Sequence, residues 1–236
     1  MPCARTARPG ARIMIYTCYD MVRDCRAEKP EGWSYFVSNY SPLIRKLLAH
    51  YAPADAAPLE TVLAALRPKL FQSLDPMPER QFVAVLRQQV LAQLNPAPPE
   101  IALDLETVAT ALSPLTLLEK QAAWFDTMHY DSARTAPMLR VSAKTVESIR
   151  QRAAEMIRGA VDAWRPTLLA ENGMALGRAA AAGAGADCLA PKAFLDVLDG
   201  RATWRGREDV ERHVGACWHC IDHYCRLIEV VELLRG

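Results

Sequence analysis

Apolar residues recur at intervals of three and four along most of this chain, and proline- or glycine-rich segments interrupt the recurrence. In the first block the recurring residues are Phe36, Tyr40, Ile44, Leu47 and Tyr51. Such intervals place side chains on one face of a helix, and no run shows the convincing alternation of a half-buried strand. The pattern therefore predicts an all-α fold.

The interruptions also predict how the chain divides into domains. The predicted divisions are a flexible N-terminal tail (1–29), a helical domain (30–95), a linker (96–112), a second helical domain (113–166), an Ala/Gly-rich linker (167–186) and a C-terminal domain (187–236). The Ala/Gly-rich segment is either a flexible linker or a frayed helix, and Gly183 and Gly185 favour the linker.

The composition excludes several classes of protein. Of the 236 residues, 51% are hydrophobic and 23% are charged, which suits packed cores rather than disorder. The formal net charge of +1 gives no bulk attraction to nucleic acid or membranes, so such binding needs a local patch. No stretch of about 20 residues is apolar enough to cross a membrane, and no export signal is recognisable, so we expect a cytoplasmic protein.

Four residues of types that bind metals are spaced as C-x24-H-x3-C-x2-C, at Cys188, His213, Cys217 and Cys220. Zinc prefers four tetrahedral ligands, and H-x3-C-x2-C places an imidazole and two thiolates across one helix end. Because the protein would fill all four positions, we expect a structural Zn²⁺ whose binding is coupled to folding of this small domain.

Two other interpretations of these residues remain open. Cys188 and Cys217 are also compatible with small core residues, with His213 as a surface side chain. Alternatively, Cys217 and Cys220 form a C-x-x-C pair that can be redox-active. Zinc-bound thiolates can be oxidised to a disulfide with release of the metal, so the structural and redox roles are compatible. We do not expect an enzyme, because the sequence has no H-E-x-x-H, no G-K-[ST] phosphate loop and no nucleophile elbow.

Cys188, the segment Phe194–Gly200 with its Leu-Asp-Gly, and the segment Glu211–Cys220 together resemble the zinc-binding domain of bacterial anti-sigma factors. The resemblance covers the C-terminal domain and includes all four metal positions. It implies that these residues bind zinc and that the domain regulates a sigma factor.

The segments Leu112–Leu115 and Val141–Ala153 resemble the fourth conserved region of RNA polymerase sigma factors, a helix-turn-helix. Ser142 would cap its recognition helix, whose first amides suit phosphates. The resemblance implies that outward-facing residues contact promoter DNA in the major groove, namely Lys144, Thr145, Ser148, Gln151 and Arg152.

The segments Gly32–Phe36, Tyr40–Arg45 and Pro78–Phe82 are similar to the second conserved region of extracytoplasmic-function sigma factors, which binds the polymerase clamp and melts the promoter. Together the resemblances imply a divergent sigma-like initiation factor that binds core RNA polymerase and promoter DNA. Its zinc domain would dock on the sigma-like domains and regulate them in cis.

A second hypothesis is a degenerate sigma-like scaffold that no longer reads DNA and acts as a zinc-dependent protein-interaction or redox-sensing module. Three departures from the family pattern favour it. Pro137 falls in the supporting helix, Glu147 lies near the expected phosphate face, and the first block lacks the acidic and aromatic stretch expected after Asp55. Arg140 also departs from the family pattern, because it occupies a turn position where glycine is usual.

Overall fold

The computed structural model describes residues 16–52, 58–72, 74–94, 99–161 and 164–235. Over these ranges the chain forms thirteen helices and no strand, which confirms the all-α class. The helices are α1 Cys18–Arg26, α2 Pro30–Tyr51, α3 Leu59–Leu66, α4 Glu79–Leu91, α5 Leu105–Ala111, α6 Leu117–Thr127, α7 Ser132–Leu139, α8 Ala143–Arg158, α9 Leu168–Glu171, α10 Gly173–Ala182, α11 Pro191–Leu198, α12 Trp204–Ala216 and α13 Trp218–Arg235. None of these helices is long and apolar enough to cross a membrane.

Helices α1–α4 enclose an aromatic core. Phe36 of α2 and Phe82 of α4 are fully buried, and Phe71, which follows α3, is 5.3 Å from Phe36 between ring centroids. The Phe36 and Phe71 rings meet edge to face, a favourable arrangement for aromatic pairs. Tyr40 also packs on this core and donates its hydroxyl to Glu79 at 3.1 Å. The apolar stripe of the first block thus faces the interior.

The flexible tail predicted over 1–29 is wrong for the residues that the structure describes. Thr17 and Asp20 form a capping box at the start of α1. Met21 and Val22 are fully buried in the core formed with α2 and α4. A nine-residue helix is stabilised mainly by packing, so its local sequence signal is weak. Residues 1–15 of the predicted tail lie outside the described residues.

The linker predicted over 96–112 contains α5. Asp104 caps this helix, because its carboxylate accepts a hydrogen bond from the backbone N–H of Thr107 at 2.7 Å. Val108 is fully buried in the core that α5 shares with α6 and α8. The C-terminal half of the predicted linker is therefore structured, and residues 95–98 lie outside the described ranges.

The linker predicted over 167–186 is wrong across α9 and α10. A Cβ atom at Gly173 would lie 1.8 Å from the carbonyl oxygen of Thr127, so only glycine allows this approach of α10 to α6. Leu176 and Ala180 are fully buried. The small residues of this segment therefore form a closely packed helix, which is nearer to the helical alternative than to a flexible linker.

Helices α11–α13 share a core with the middle helices. Phe194 of α11, Val214 of α12 and Ile221 of α13 are buried in the same cluster as Trp124 and Phe125 of α6. Helix α13 extends further, and its Val230 packs into the core of α1–α4. The boundary predicted at residue 187 therefore does not separate two cores.

Candidate metal centre and the surfaces around it

The four predicted metal ligands come together where α11, α12 and α13 meet. Cys188 precedes α11, His213 lies in the last turn of α12, Cys217 lies between α12 and α13, and Cys220 lies in the first turn of α13. One ligand atom from each residue lies within 4.8 Å of all the others. This cluster could hold a metal ion, as the spacing predicted.

Cys217 is the only residue between α12 and α13, and its backbone makes this arrangement possible. Its extended conformation (φ −116°, ψ 111°) ends α12, while its N–H still donates to the carbonyl of His213 at 3.0 Å. Its own carbonyl accepts the N–H of Ile221 at 2.9 Å and so begins the next helix. The H-x3-C-x2-C spacing therefore spans one sharp change of helix direction.

The distances between the donor atoms suit a tetrahedral ion. The Sγ atoms of Cys188 and Cys217 are 3.8 Å apart, and Nε2 of His213 is 3.2 Å from Sγ of Cys220. Bonds of about 2.3 Å from a tetrahedral metal separate two sulfurs by about 3.8 Å. All four side chains thus fit ligand positions around one ion.

The thiols of Cys188 and Cys220 differ in the direction in which their surroundings shift the pKa. The backbone N–H of Gly185 donates to Sγ of Cys188 at 3.2 Å and lowers the pKa of this thiol. Burial raises the pKa of Cys220 to about 12. Metals bind the thiolate form, so an ion at this cluster would have to displace the proton of the buried Cys220, whereas Cys188 is closer to the thiolate form.

The C-terminal helices are attached to α6 by polar and aromatic contacts. Lys120 donates to the carbonyl oxygen of Gly215 at 2.7 Å, and burial lowers the pKa of its amine. The rings of Trp124 and Trp218 are 5.4 Å apart, and Nε1 of Trp124 donates to Asp222 at 3.1 Å. The segment that carries the Cys/His cluster is therefore docked on the middle helices.

A second polar group, the Glu229 cluster, consists of Tyr51, Arg87, Tyr130 and Glu229. Glu229 of α13 has no solvent exposure, and it accepts the hydroxyls of Tyr51 and Tyr130 at 2.7 Å each. It also forms an ion pair with Arg87 of α4. Burial and the nearby carboxylate raise the pKa of Tyr130, so its hydroxyl remains a donor. One carboxylate thus joins α2, α4, α13 and the segment after α6.

Sequence reasoning missed the Glu229 cluster. The available signal was an acidic residue beside the apolar stripe of the last helix, since a buried carboxylate requires a partner. Its partners Arg87 and Tyr51 are 142 and 178 positions away, so no local pattern identifies them.

Helix α8 carries all of the predicted DNA contacts on its exposed side. Val146, Ile149 and Ala153 are buried on the opposite side, and the hydroxyl of Ser142 accepts the N–H of Thr145 at 3.0 Å. The predicted DNA contacts that are exposed are Lys144, Thr145, Ser148, Gln151 and Arg152. Among them Arg152 forms an ion pair with Glu119 of α6 at 2.6 Å, so its guanidinium is partly engaged.

The short connection between α7 and α8 contains a left-handed residue. Arg140 has φ 57° and ψ 41°, and the N–H of Val141 donates to the carbonyl of Ala136 at 3.0 Å. This is a Schellman-type helix end, which glycine usually occupies. An L-residue with a side chain costs about 1 kcal/mol more in this conformation. Helix α7 also continues through Pro137.

No family model matches the chain, and neither a curated protein nor a solved structure is significantly similar to it. The resemblance to sigma and anti-sigma factors rests on the motif residues alone.

Proposed function

We propose that this protein is a sigma-like transcription initiation factor whose helical units bind core RNA polymerase and promoter DNA. Its C-terminal helices regulate these units in cis. The Glu229 cluster is the observation that carries the proposal, because one carboxylate of α13 binds Tyr51 and Arg87 of the first unit and Tyr130 of the second. Docked in this way, α13 fixes the two units relative to each other.

The exposed face of α8 supports promoter binding. Lys144, Ser148 and Gln151 share this exposed face, and Lys144 forms no ion pair with a described residue. Such side chains can donate to base edges and phosphates in a major groove, while the capped N-terminus of the helix favours a phosphate. The function requires no bond-making chemistry.

The proposed ion of the metal centre is Zn²⁺. Three thiolates and one imidazole form a closed four-ligand set of the kind that structural zinc sites use, with no position left for a reactive water. Bound there, zinc would supply a cross-link between the segment before α11 and the ends of α12 and α13. Cys217 and Cys220 would also make the site sensitive to oxidation.

Regulation then follows from exchange of packing partners. Helix α13 buries residues such as Ile221 and Val230 against the two units, and polymerase would compete for the surfaces that α13 covers. Loss of the metal or of the α13 contacts would shift the equilibrium towards polymerase binding.

The second candidate is a sigma-like scaffold that does not read DNA. The ion pair of Arg152 with Glu119 and the hydrogen bond from Ser132 to Glu147 at 2.7 Å favour it. The first contact occupies a predicted DNA contact, and the second keeps a carboxylate on the side of α8 that would approach phosphates.

The regulatory proposal is tested with two variants of the same helix in the full-length protein. Glu229→Gln leaves Arg87 without its buried partner, so α13 should be released and affinity for core RNA polymerase should rise at least about fivefold. Glu232→Gln, which alters a surface carboxylate of α13, should leave affinity unchanged. Equal affinity of both variants and the parent would reject cis regulation, and no binding by any of them would reject the sigma-like function.

Promoter reading is tested by selection from a library of random DNA duplexes and by comparison of variants on the selected sequence. Lys144→Ala and Gln151→Ala should each reduce discrimination against mismatched sites by about 1–3 kcal/mol. Arg158→Ala, at the far end of α8, serves as the control. Selection of no sequence by a zinc-loaded, Glu229→Gln protein would favour the scaffold.

A further inference from the structure

A cleft of about 550 Å³ separates α6 and α7 from the C-terminal helices. Its lining is mixed: apolar side chains such as Val197 of α11 and Ile228 and Val231 of α13 lie among charged residues. Sites for small ligands have volumes of about 300–1,000 Å³ and often lie between structural units. This cleft has such a volume and position, and it shares no residue with the metal centre or the Glu229 cluster.

The charges around the cleft leave one cation unmatched. Three acidic groups are already paired, Glu211 with Arg207 at 2.7 Å, Glu232 with Arg235 at 3.6 Å and Asp199 with Arg201 at 2.9 Å. Arg140, which also lines the cleft, forms no ion pair or side-chain hydrogen bond with any described residue. An anionic ligand group would therefore meet an available guanidinium.

Two further observations concern the polar groups of the cleft. Arg140 occupies a left-handed position that glycine would fill with less strain, and strain at a polar side chain beside a cavity points to a use for that side chain. Tyr224 lines the same cleft, and its phenol hydroxyl can donate a hydrogen bond. Both groups can donate to an anionic group held beside the apolar side chains of the cleft.

We propose that this cleft binds a small amphipathic anion, in which an apolar chain or ring system carries one carboxylate, sulfonate or phosphate that pairs with Arg140. The ligand would touch α7 and α13 together and stabilise their packed arrangement by mass action. Binding does not depend on the proposed transcriptional function, so the two proposals are tested separately.

Calorimetric titration of the full-length, zinc-loaded protein tests the ligand class. Decanoate represents a flexible chain, naphthalene-2-sulfonate represents a ring system, and decanol is the uncharged counterpart of decanoate. At least one anion should bind, and decanol should bind about tenfold more weakly than decanoate because it lacks the charge-assisted hydrogen bond. Absence of binding by both anions, or equal binding of decanoate and decanol, would overturn the proposal.

Variants locate the site. Arg140→Gly removes the cation at a position whose backbone glycine prefers, so the fold is retained and anion affinity should fall about tenfold. Arg45→Gln removes a surface charge from α2, away from the cleft, and should have no effect. Val231→Trp should fill part of the cleft with a larger side chain and abolish binding. Undiminished anion binding by both the Arg140 and Val231 variants would place the ligand elsewhere and reject this site.

Discussion

Helices α1–α4 and helices α11–α13 are both small helical units, but they are stabilised differently. The buried rings of the first unit, among them Phe36 and Phe82, pack on one another, and few described residues from other helices, such as Val230 and Met174, join this core. The C-terminal unit buries Phe194 and Ile221 in a core that it shares with α6. It also contains the four-residue cluster that could hold a metal ion. The C-terminal unit thus relies on a core shared with α6 rather than on one of its own.

Removal of the metal should have the largest effect and should separate the two units. Structural zinc contributes apparent binding free energies of about 10 kcal/mol or more in small domains. Chelation or Cys217→Ser should therefore abolish amide hydrogen-exchange protection in α12 and the first half of α13, while α2 and α4 remain protected. Cys25→Ser, outside the metal cluster, is the control. Equal loss of protection in α2 would contradict the comparison.

Truncation of a buried ring in the first unit should destabilise that unit and leave the metal centre intact. Phe36→Ala should lower the free energy of unfolding of the first unit by about 3–5 kcal/mol, because the cavity cannot be filled by neighbouring rings. The protein should still bind one equivalent of metal. Phe194→Ala, the matched change in the C-terminal unit, should weaken metal binding instead. Urea unfolding and metal analysis measure both properties, and equal losses of stability and of metal binding in the two variants would show that the two units fold as one.

Acid should destabilise the C-terminal unit through His223 of α13. Its ring packs on Phe194, and burial, Arg226 and His219 lower its pKa to about 4. The unfolded chain binds a proton near pH 6.5 and the folded protein only near pH 4, so this contribution to stability is complete above pH 6.5. It falls by about 1.4 kcal/mol per pH unit between these values.

His223→Phe removes this titration and keeps the ring. The difference in unfolding free energy between parent and variant should therefore change between pH 6.5 and pH 4, whereas acid release of the metal is common to both proteins. Parallel pH profiles of the two proteins would show that His223 carries no such penalty.

The smallest expected effect concerns the turn that joins α7 to α8. Arg140→Gly should stabilise the middle helices by about 1 kcal/mol, because glycine adopts φ 57° without strain. For a chain of this size the melting temperature should rise by about 2–4 °C. Gly200→Ala, at φ 69° before α12, should lower it by a similar amount. An unchanged melting temperature for both would show that neither backbone position is strained.

Sequence periodicity predicted the helices that are long and strongly amphipathic. The stripe of α2 and the buried face of α8 at Val146, Ile149 and Ala153 lie as the intervals indicate. The four metal residues were also predictable, because three of them lie within eight consecutive positions around one helix junction. Local spacing identifies the helix faces and the three clustered metal-ligand types, and Cys188 supplies the fourth from 25 positions earlier.

The remaining features depend on contacts between distant residues. Helix α1 is short and is stabilised by burial against α2, and α10 has a linker-like composition because Gly173 approaches α6. The shared core of α6 and α11–α13 likewise joins residues that are far apart in the chain. Periodicity reports which side of a helix is apolar, but it does not report which helix covers that side.

The tryptophan pair at the docking surface gives this protein an optical reporter of its own state. Trp124 is 1% exposed and lies against Trp218, whereas Trp204 at the start of α12 is 72% exposed. Release of α13 would bring the indole of Trp124 into water and shift its fluorescence emission to longer wavelengths, while Trp204 is already solvated. The unlabelled protein should therefore signal undocking of its C-terminal helices through the colour of its emission, in real time.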